Sequence, residues 1–471
     1  MGDVRIVSRR MVRPEPTASP PVETIHLTPW DLKSITVENI QKGILLPKPP
    51  TTGGKGLNDV DVECLASSFQ RALGHFYPYA GRLAVAVPPA SDGGASSPQN
   101  QSLTISLRCG GEGAEFVHAV APGVTVSDIS ASLVVPRVVW SFFPLDMLLG
   151  SDAIEGSRPL LVAQVTELAD GVFIAMSMNH GVADGTTFWQ FFNTWSELSR
   201  AAVAGNDVMI SSPLPVFDRS FLGSCTVPIP LPFGNLEDVV GIRHVFPPVQ
   251  ECFLNFSAAS VKNLKAQANA EMSGSGCTLG TISSLQALLA HLWRAVCRAR
   301  RLASHQKTTY TVLVGCRGRV VGIPAAYAGN AVEHATAKST AGDILDRGLG
   351  RAAWLLNRAV ASFDMAYASN KLASWPREPS FTRLPALVAA APTGTLTGSS
   401  PRFDVYGNDF GWGAPVTVRS GAGNKFDGKA TVYEGRGGGG SIALEVCLVP
   451  EALARLVTDE EFMGATTTDS Y

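Results

Sequence analysis

No stretch of the 471-residue chain reaches the roughly 18 consecutive apolar residues that cross a bilayer, so a membrane-spanning helix is not expected. Charge is scarce and balanced. Only 17% of the residues are charged and the formal net charge is −2, so there is no basic face of the kind that binds nucleic acid. CxxC pairs are missing altogether. The eight cysteines lie far apart, mostly in apolar stretches such as the one around Cys447, and read as buried thiols in a reducing compartment rather than as disulfides or zinc ligands. The opening MGDVRIVSRRMVRPEPTASPP lacks the apolar core of a secretory signal, and Ile6 stands where myristoylation requires Ser or Thr. An Arg-rich transit peptide is one reading of it. The alternation of Val4 to Ser8 favours a first β-strand, and the protein is expected to be cytosolic.

What the chain does have is length and apolar content. It is too long for one ordinary core, and 45% apolar residues suffice for two. Strand-like runs at Gly171–Met178 and Thr309–Val314 alternate with helical periods at Leu65–Leu73 and Thr281–Val296, without an internal repeat. Three Pro/Gly-rich or polar stretches punctuate it. Pro88–Gln101 reads as a surface loop, Pro213–Pro248 as an inter-domain crossover, and Gly435–Gly440 as a hairpin tip. The expected class is α/β, with an N-terminal domain over 1–212, a crossover over 213–248 and a C-terminal domain over 249–471.

The sharpest local feature is GVFIAMSMNHGVADGTTFWQFFNTWSEL. An apolar strand ends at Met178, and a helix with Phe188, Phe191, Phe192, Trp195 and Leu198 on one face follows. His180 therefore lies in a tight strand-to-helix connection. A histidine there can project into a cavity and accept a proton near neutrality. Taken alone, a His-x-x-x-Asp spacing is weak, and His180 also reads as one ordinary histidine of eight. A metal site at His180 and Asp184 lacks a third ligand of suitable spacing nearby, so no metal is expected. The second feature is Asp409-Phe410-Gly411-Trp412-Gly413. Asp-Phe-Gly suggests a protein kinase, but no Gly-rich loop with VAIK and no HRD precede it. By its residues it is a glycine-containing turn that buries two aromatics.

Together, His180-Gly181-Val182-Ala183-Asp184 and Asp409-Phe410-Gly411-Trp412-Gly413 resemble the HxxxD and DFGWG motifs of the BAHD family of plant acyl-CoA-dependent acyltransferases. Phe76-Tyr77-Pro78-Tyr79-Ala80-Gly81-Arg82-Leu83, Ala290-His291-Leu292-Trp293-Arg294, and Arg317-Gly318-Arg319 followed by Tyr327-Ala328-Gly329-Asn330 also resemble family segments, in the same order along nearly the whole chain. The resemblance implies a two-domain fold, each domain a mixed β-sheet packed with helices, with a channel between them. It implies transfer of an acyl group from acyl-CoA, as co-substrate, to a hydroxyl or amine of a small specialised metabolite, by a monomer. His180 is then the general base. Asp184 turns from the channel to pair with Arg317, or with Arg319 in a shifted register, and Asp409 through Gly413 are structural.

One departure bears on the substrate. Members acting on shikimate or quinate carry Thr-Ser-Trp about nine residues before the DFGWG aspartate, where this chain reads Gly398-Ser399-Ser400. Upstream, only Arg383 is available to grip an acceptor carboxylate as those members do. A shikimate-type acceptor is thereby disfavoured and the oxyanion donor is left unassigned: Ser400 or Thr397 could serve, and a surface turn is the equal alternative. Lys262, Lys265 and Ser284 fall in segments that line the CoA side of relatives, although exposed helix lysines are usually just solvated. The alternative to acyl transfer is the same fold serving as a lyase or a ligand-binding protein without CoA turnover.

Overall fold

The structure is a computed structural model. It describes residues 3–15, 23–48, 57–86, 102–154, 158–205, 210–223, 225, 227–241, 243, 246–273 and 281–467. The expected surface loop at Pro88–Gln101 and the thiol of Cys277 lie outside the described residues.

The strands are, in the first part of the chain, β1 (Arg5–Val12), β2 (Thr24–His26), β3 (Ile40–Pro47), β4 (Arg82–Ala86), β5 (Thr104–Arg108), β6 (Ala114–Ala121), β7 (Leu161–Leu168) and β8 (Gly171–Met178). In the second part they are β9 (Gln250–Phe256), β10 (Lys307–Gly315), β11 (Val332–Thr340), β12 (Thr395–Ser399), β13 (Thr417–Ser420), β14 (Lys429–Glu434) and β15 (Ile442–Leu448). They form two six-stranded sheets and one small one. The first sheet runs β1-β6-β7-β8-β3-β13, the second β11-β10-β12-β14-β15-β9, and the small sheet β2-β5-β4. Both large sheets are mixed. In the first only β6 and β7 are parallel; in the second β12 is parallel to both β10 and β14. The strand β13 comes from the C-terminal part of the chain yet pairs with β3, placing Thr417 opposite Leu45 and Ser420 opposite Lys42.

Helices cover each sheet. Asp59–His75 and Gly185–Val203 pack together in the first half, where Phe69 meets the Trp195 ring edge-on at 5.1 Å. Their starts are set by sequence. Asn58 and Asp61 form a capping box, and the Asp184 side chain accepts from Thr187 N as N-cap. In the second half Ala258–Ser273, Ser284–Ala299 and Gly348–Ala361 pack mutually, and the core between them and the second sheet includes Ala430, Val432, Leu444 and Val446. Alternation along a strand sends the intervening residues the other way. Accordingly Tyr433, Ala443 and Phe253 join the core of the first half, so the second sheet presents that face to the other half.

The segment after the first helical layer is stitched to both halves. Val216 N donates to Ala326 O at 2.9 Å, and Leu231 N to Leu103 O at 2.8 Å. Gly435–Gly440 is the connection between the antiparallel strands β14 and β15. Among the described residues, no helix is long and apolar enough to cross a membrane.

Candidate active site

The strand β8 is buried along its whole length, and the chain leaves it through a short turn before the helix Gly185–Val203. Asn179 makes that turn. Its Oδ1 accepts from Gly181 N at 2.8 Å and its Nδ2 donates to Gly150 O at 2.9 Å, while Asn179 N donates to Leu160 O. The backbone of His180 is thus clamped from the residue before it.

A second clamp comes from the other half. Asn330 Nδ2 donates to the His180 carbonyl at 2.8 Å, and Asn330 is itself fixed by Asp31, whose Oδ1 accepts from both its N (2.9 Å) and its Nδ2 (3.1 Å). The remaining oxygen of Asp31 takes Thr28 N and Oγ1 and the Arg219 guanidinium. Asp31 of the helix Pro29–Ser34, with Arg219 behind it, and Asn330 just ahead of β11 therefore combine to hold one carbonyl.

The His180 ring is partly buried. Nδ1 is sealed from solvent without a hydrogen-bond partner among the described residues, which leaves Nε2 as the nitrogen with access to open space. Burial lowers the proton affinity of the ring below its ordinary value. Its own carbonyl and the Asp184 charge oppose this and do not win, and the Lys429 ammonium adds to the lowering. The imidazole is consequently neutral and basic at physiological pH.

The Asp184 carboxylate is occupied by partners other than that ring. Its Oδ2 lies 2.6 Å from Arg317 Nη1 and also accepts from Ala331 N at 3.0 Å; its Oδ1 accepts from Arg317 Nη2 at 3.1 Å and from Thr187 N at 3.0 Å. Burial pushes this carboxyl up, but Arg317 and the N–H donors outweigh it and hold it below the usual range. Arg317 also donates to the Tyr327 and Gly329 carbonyls and to Thr187 Oγ1. Arg319 makes none of these contacts.

The segment Asp409–Gly413 braces the helix that follows His180. Asp409 Oδ1 accepts from Gly411 N, Trp412 N and Gly413 N at 2.7–2.9 Å, tying the turn to itself. Phe410 is fully buried, edge-on to Trp195 at 5.0 Å and to Phe192 at 5.8 Å, and its carbonyl accepts from Ser199 Oγ. Gly411 has φ +99°, and a Cβ there would stand 2.9 Å from Val203 Cβ, so only glycine lets the turn lie this close to the helix. Trp412 is buried and Gly413 is exposed.

Ser400 follows β12 at the head of a turn in which its Oγ accepts from Arg402 N at 3.2 Å. That turn also brings Phe403 against the start of the His180-proximal helix, within 3.2 Å of where a Cβ on Gly185 would lie. Thr397 Oγ1 is bonded to Tyr310 Oη at 2.6 Å, and Tyr310 belongs to the helix-side core of the second sheet. Arg383 donates to the carbonyls of Asp238 and Val239. Lys262 is exposed and Lys265 half-buried on the helix Ala258–Ser273, and Ser284 is the first residue of the adjacent helix Ser284–Ala299.

The sequence alone gives no role to Asn179, Asp31, Asn330 or Lys429. The Thr28-x-x-Asp31 spacing signals a capping box, but nothing local announces that the same carboxylate holds a residue 299 positions later. No group of three or more His, Cys, Asp or Glu side chains among the described residues is placed to hold a metal ion.

The chain matches the Transferase family over residues 3–463. It is 33% identical to an uncharacterised acetyltransferase of Arabidopsis thaliana, over 98% of this chain and 99% of that protein. To the BAHD acyltransferase DCR of the same plant it is 31% identical, over 98% and 92%. Its fold is that of TRI101 from F. sporotrichioides, solved with coenzyme A and T-2, at a TM-score of 0.68 with 18% identity over 94% of this chain and 99% of that one.

Proposed function

Since the chain belongs to the Transferase family as a BAHD acyltransferase, an acyl-CoA-dependent enzyme of plant specialised metabolism, we propose that His180 is its general base and that the acyl group passes directly from CoA to a hydroxyl or amine of a small metabolite. The observation that carries this reading is the state of the His180 ring. It has one sealed and one accessible nitrogen, its backbone is held from both halves of the molecule, and burial lowers its proton affinity.

In this reading Nε2 takes the proton of the acceptor O–H or N–H as that atom attacks the thioester carbonyl. The carbonyl π pair moves onto oxygen, giving a tetrahedral intermediate. Collapse of the intermediate breaks the C–S bond, and the proton held by His180 leaves with the CoA thiolate. No covalent enzyme intermediate is needed. Asp184 and Arg317 act through geometry, by holding the turn that aims the ring. Ser400 is our candidate donor to the oxyanion, because its Oγ accepts from Arg402 N and so keeps its own O–H proton for donation. Lys262, Lys265 and Ser284 are candidates for the CoA phosphates, as two cations and a hydroxyl on neighbouring helices.

The test is thiol release from a panel of acyl-CoAs, with and without candidate hydroxyl and amine acceptors, for wild type and His180→Ala. Acceptor-dependent thiol release that vanishes in His180→Ala supports transfer. Product formation without acyl-CoA consumption would move the assignment to the same fold acting as a lyase.

A further inference from the structure

On the face that the second sheet turns towards the first half, lysine outnumbers carboxylate. Lys425 is fully engaged, bridging Glu251 and Glu445, and Glu445 also accepts from Ser420 N at 3.2 Å. Lys42, on β3, donates to Tyr433 Oη at 3.1 Å across the interface. The side chain of Lys429, on β14, makes no hydrogen bond or ion pair among the described residues; only its backbone is bonded, as in Lys429 N to Phe426 O at 3.0 Å. Lys425 thus holds both carboxylates, Lys42 is left with the Tyr433 hydroxyl, and the Lys429 ammonium is left with neither.

Lys429 lies beside β12, opposite Leu396. Lys429 is half-buried, and burial lowers the proton affinity of its ammonium. The neighbouring strand makes room for it: a Cβ on Gly398 would stand 2.8 Å from Lys429 Nζ. Its charge is felt at two imidazoles, His180 and His334, and depresses the proton affinity of both. Burial brings Lys429 down to about 8 and Lys42 to about 7, so Lys429 is still largely cationic at neutral pH. Carrying an uncompensated ammonium into a protein interior is costly and is tolerated where a ligand completes it.

We propose that Lys429 is a specificity-determining residue that receives a carboxylate of the substrate in the space before His180, so that this enzyme selects an acidic substrate. The carboxylate belongs either to the far end of the acyl group or to the acceptor. The proposal rests on the acyl-transfer reading only in taking that space as the path of the substrates.

Binding, rather than turnover, tests it, and the measurements are made in the His180→Ala background so that a failure of the catalytic assignment leaves them intact. The donor arm compares succinyl-CoA with pentanoyl-CoA by calorimetry. The acceptor arm compares 3-hydroxybenzoate with 3-hydroxybenzamide in the presence of CoA. The expected result is an acid advantage of about tenfold or more in one arm, the usual worth of a charged hydrogen bond, which Lys429→Met reduces to within about threefold and Lys429→Arg largely keeps. The arm that responds identifies the source of the carboxylate. Removal of an uncompensated charge should leave the thermal midpoint of Lys429→Met equal to or above that of wild type, and Lys429→Gln serves as a second neutral variant. No acid advantage in either arm, or an advantage that survives both neutral variants, overturns the assignment.

Discussion

Arg317 Nη1 lies 2.6 Å from Asp184 Oδ2, joining the turn that carries His180 to a loop 133 residues further along the chain and in the other half of the molecule. Both side chains are nearly inaccessible to solvent, at 10% and 1%. Removing one partner strands the other charge. Arg317→Met should therefore cost about 3–5 kcal/mol of stability, measured by chemical denaturation, and lower turnover per folded molecule. Arg317→Lys should recover little of either, since an ammonium cannot span both carboxylate oxygens and the Tyr327 and Gly329 carbonyls together. A Lys variant as active and stable as wild type would show that charge alone, without the fork, positions the turn.

His180→Ala removes the proposed base without touching the clamps, which act on the backbone through Asn179 and Asn330. Acyl transfer should fall by about two to four orders of magnitude, the usual worth of general-base catalysis, with a nearly unchanged thermal midpoint. Turnover within threefold of wild type would remove His180 from the chemistry.

The pH dependence follows from the sign of the His180 shift. Burial lowers its proton affinity, so the free base persists to lower pH than for an exposed histidine, and the acid limb of kcat/KM should have its midpoint below 6.5. Lys429 contributes to that lowering, so Lys429→Met should move the limb to higher pH. Stability has the same direction for two reasons. The buried neutral His180 takes up its proton more readily when unfolded, and the depressed carboxyl of Asp184 contributes stability above its unfolded value that is lost as pH falls through its folded one. An acid limb above 6.5 in wild type would contradict the burial argument.

Trp412→Ala tests the bracing role of the segment around Asp409. Trp412 is buried, so the change should cost roughly 3–5 kcal/mol, with activity lost mainly in proportion to folded protein. Phe410→Ala, which opens a hole against Trp195 and Phe192, should behave alike. Either variant being stable yet inactive would place the segment in the chemistry.

How much of this was legible depends on whether the signal is local. The strand β8, the amphipathic helix after it and the glycine hairpin between β14 and β15 are written in patterns of period 2, period 3.6 and turn residues, all within about thirty positions. The two motifs are equally compact. The pairing of Asp184 with Arg317 enters through the family resemblance, since neither residue carries a local mark of the other. Lys429 reads as an ordinary polar residue opening a strand. Its isolation exists only because Lys425 takes both glutamates, a fact of three-dimensional neighbours. Asn330 and Asp31 hold the His180 carbonyl through contacts 150 and 299 residues apart, beyond any periodicity.

The exchange of β13 into the first sheet has a consequence for biosynthesis. β3 is complete once residue 47 has left the ribosome, but the strand that closes its free edge is 417–420, near the end of the chain. Between residue 178, when β8 has supplied the other neighbour of β3, and residue 417, that edge of the first sheet stays open, the kind of template that invites pairing with another nascent chain. Truncated products, frameshifts and N-terminal fragments would keep that edge permanently. The protein is thus built so that its first half is not safe from aggregation until its second half has been made.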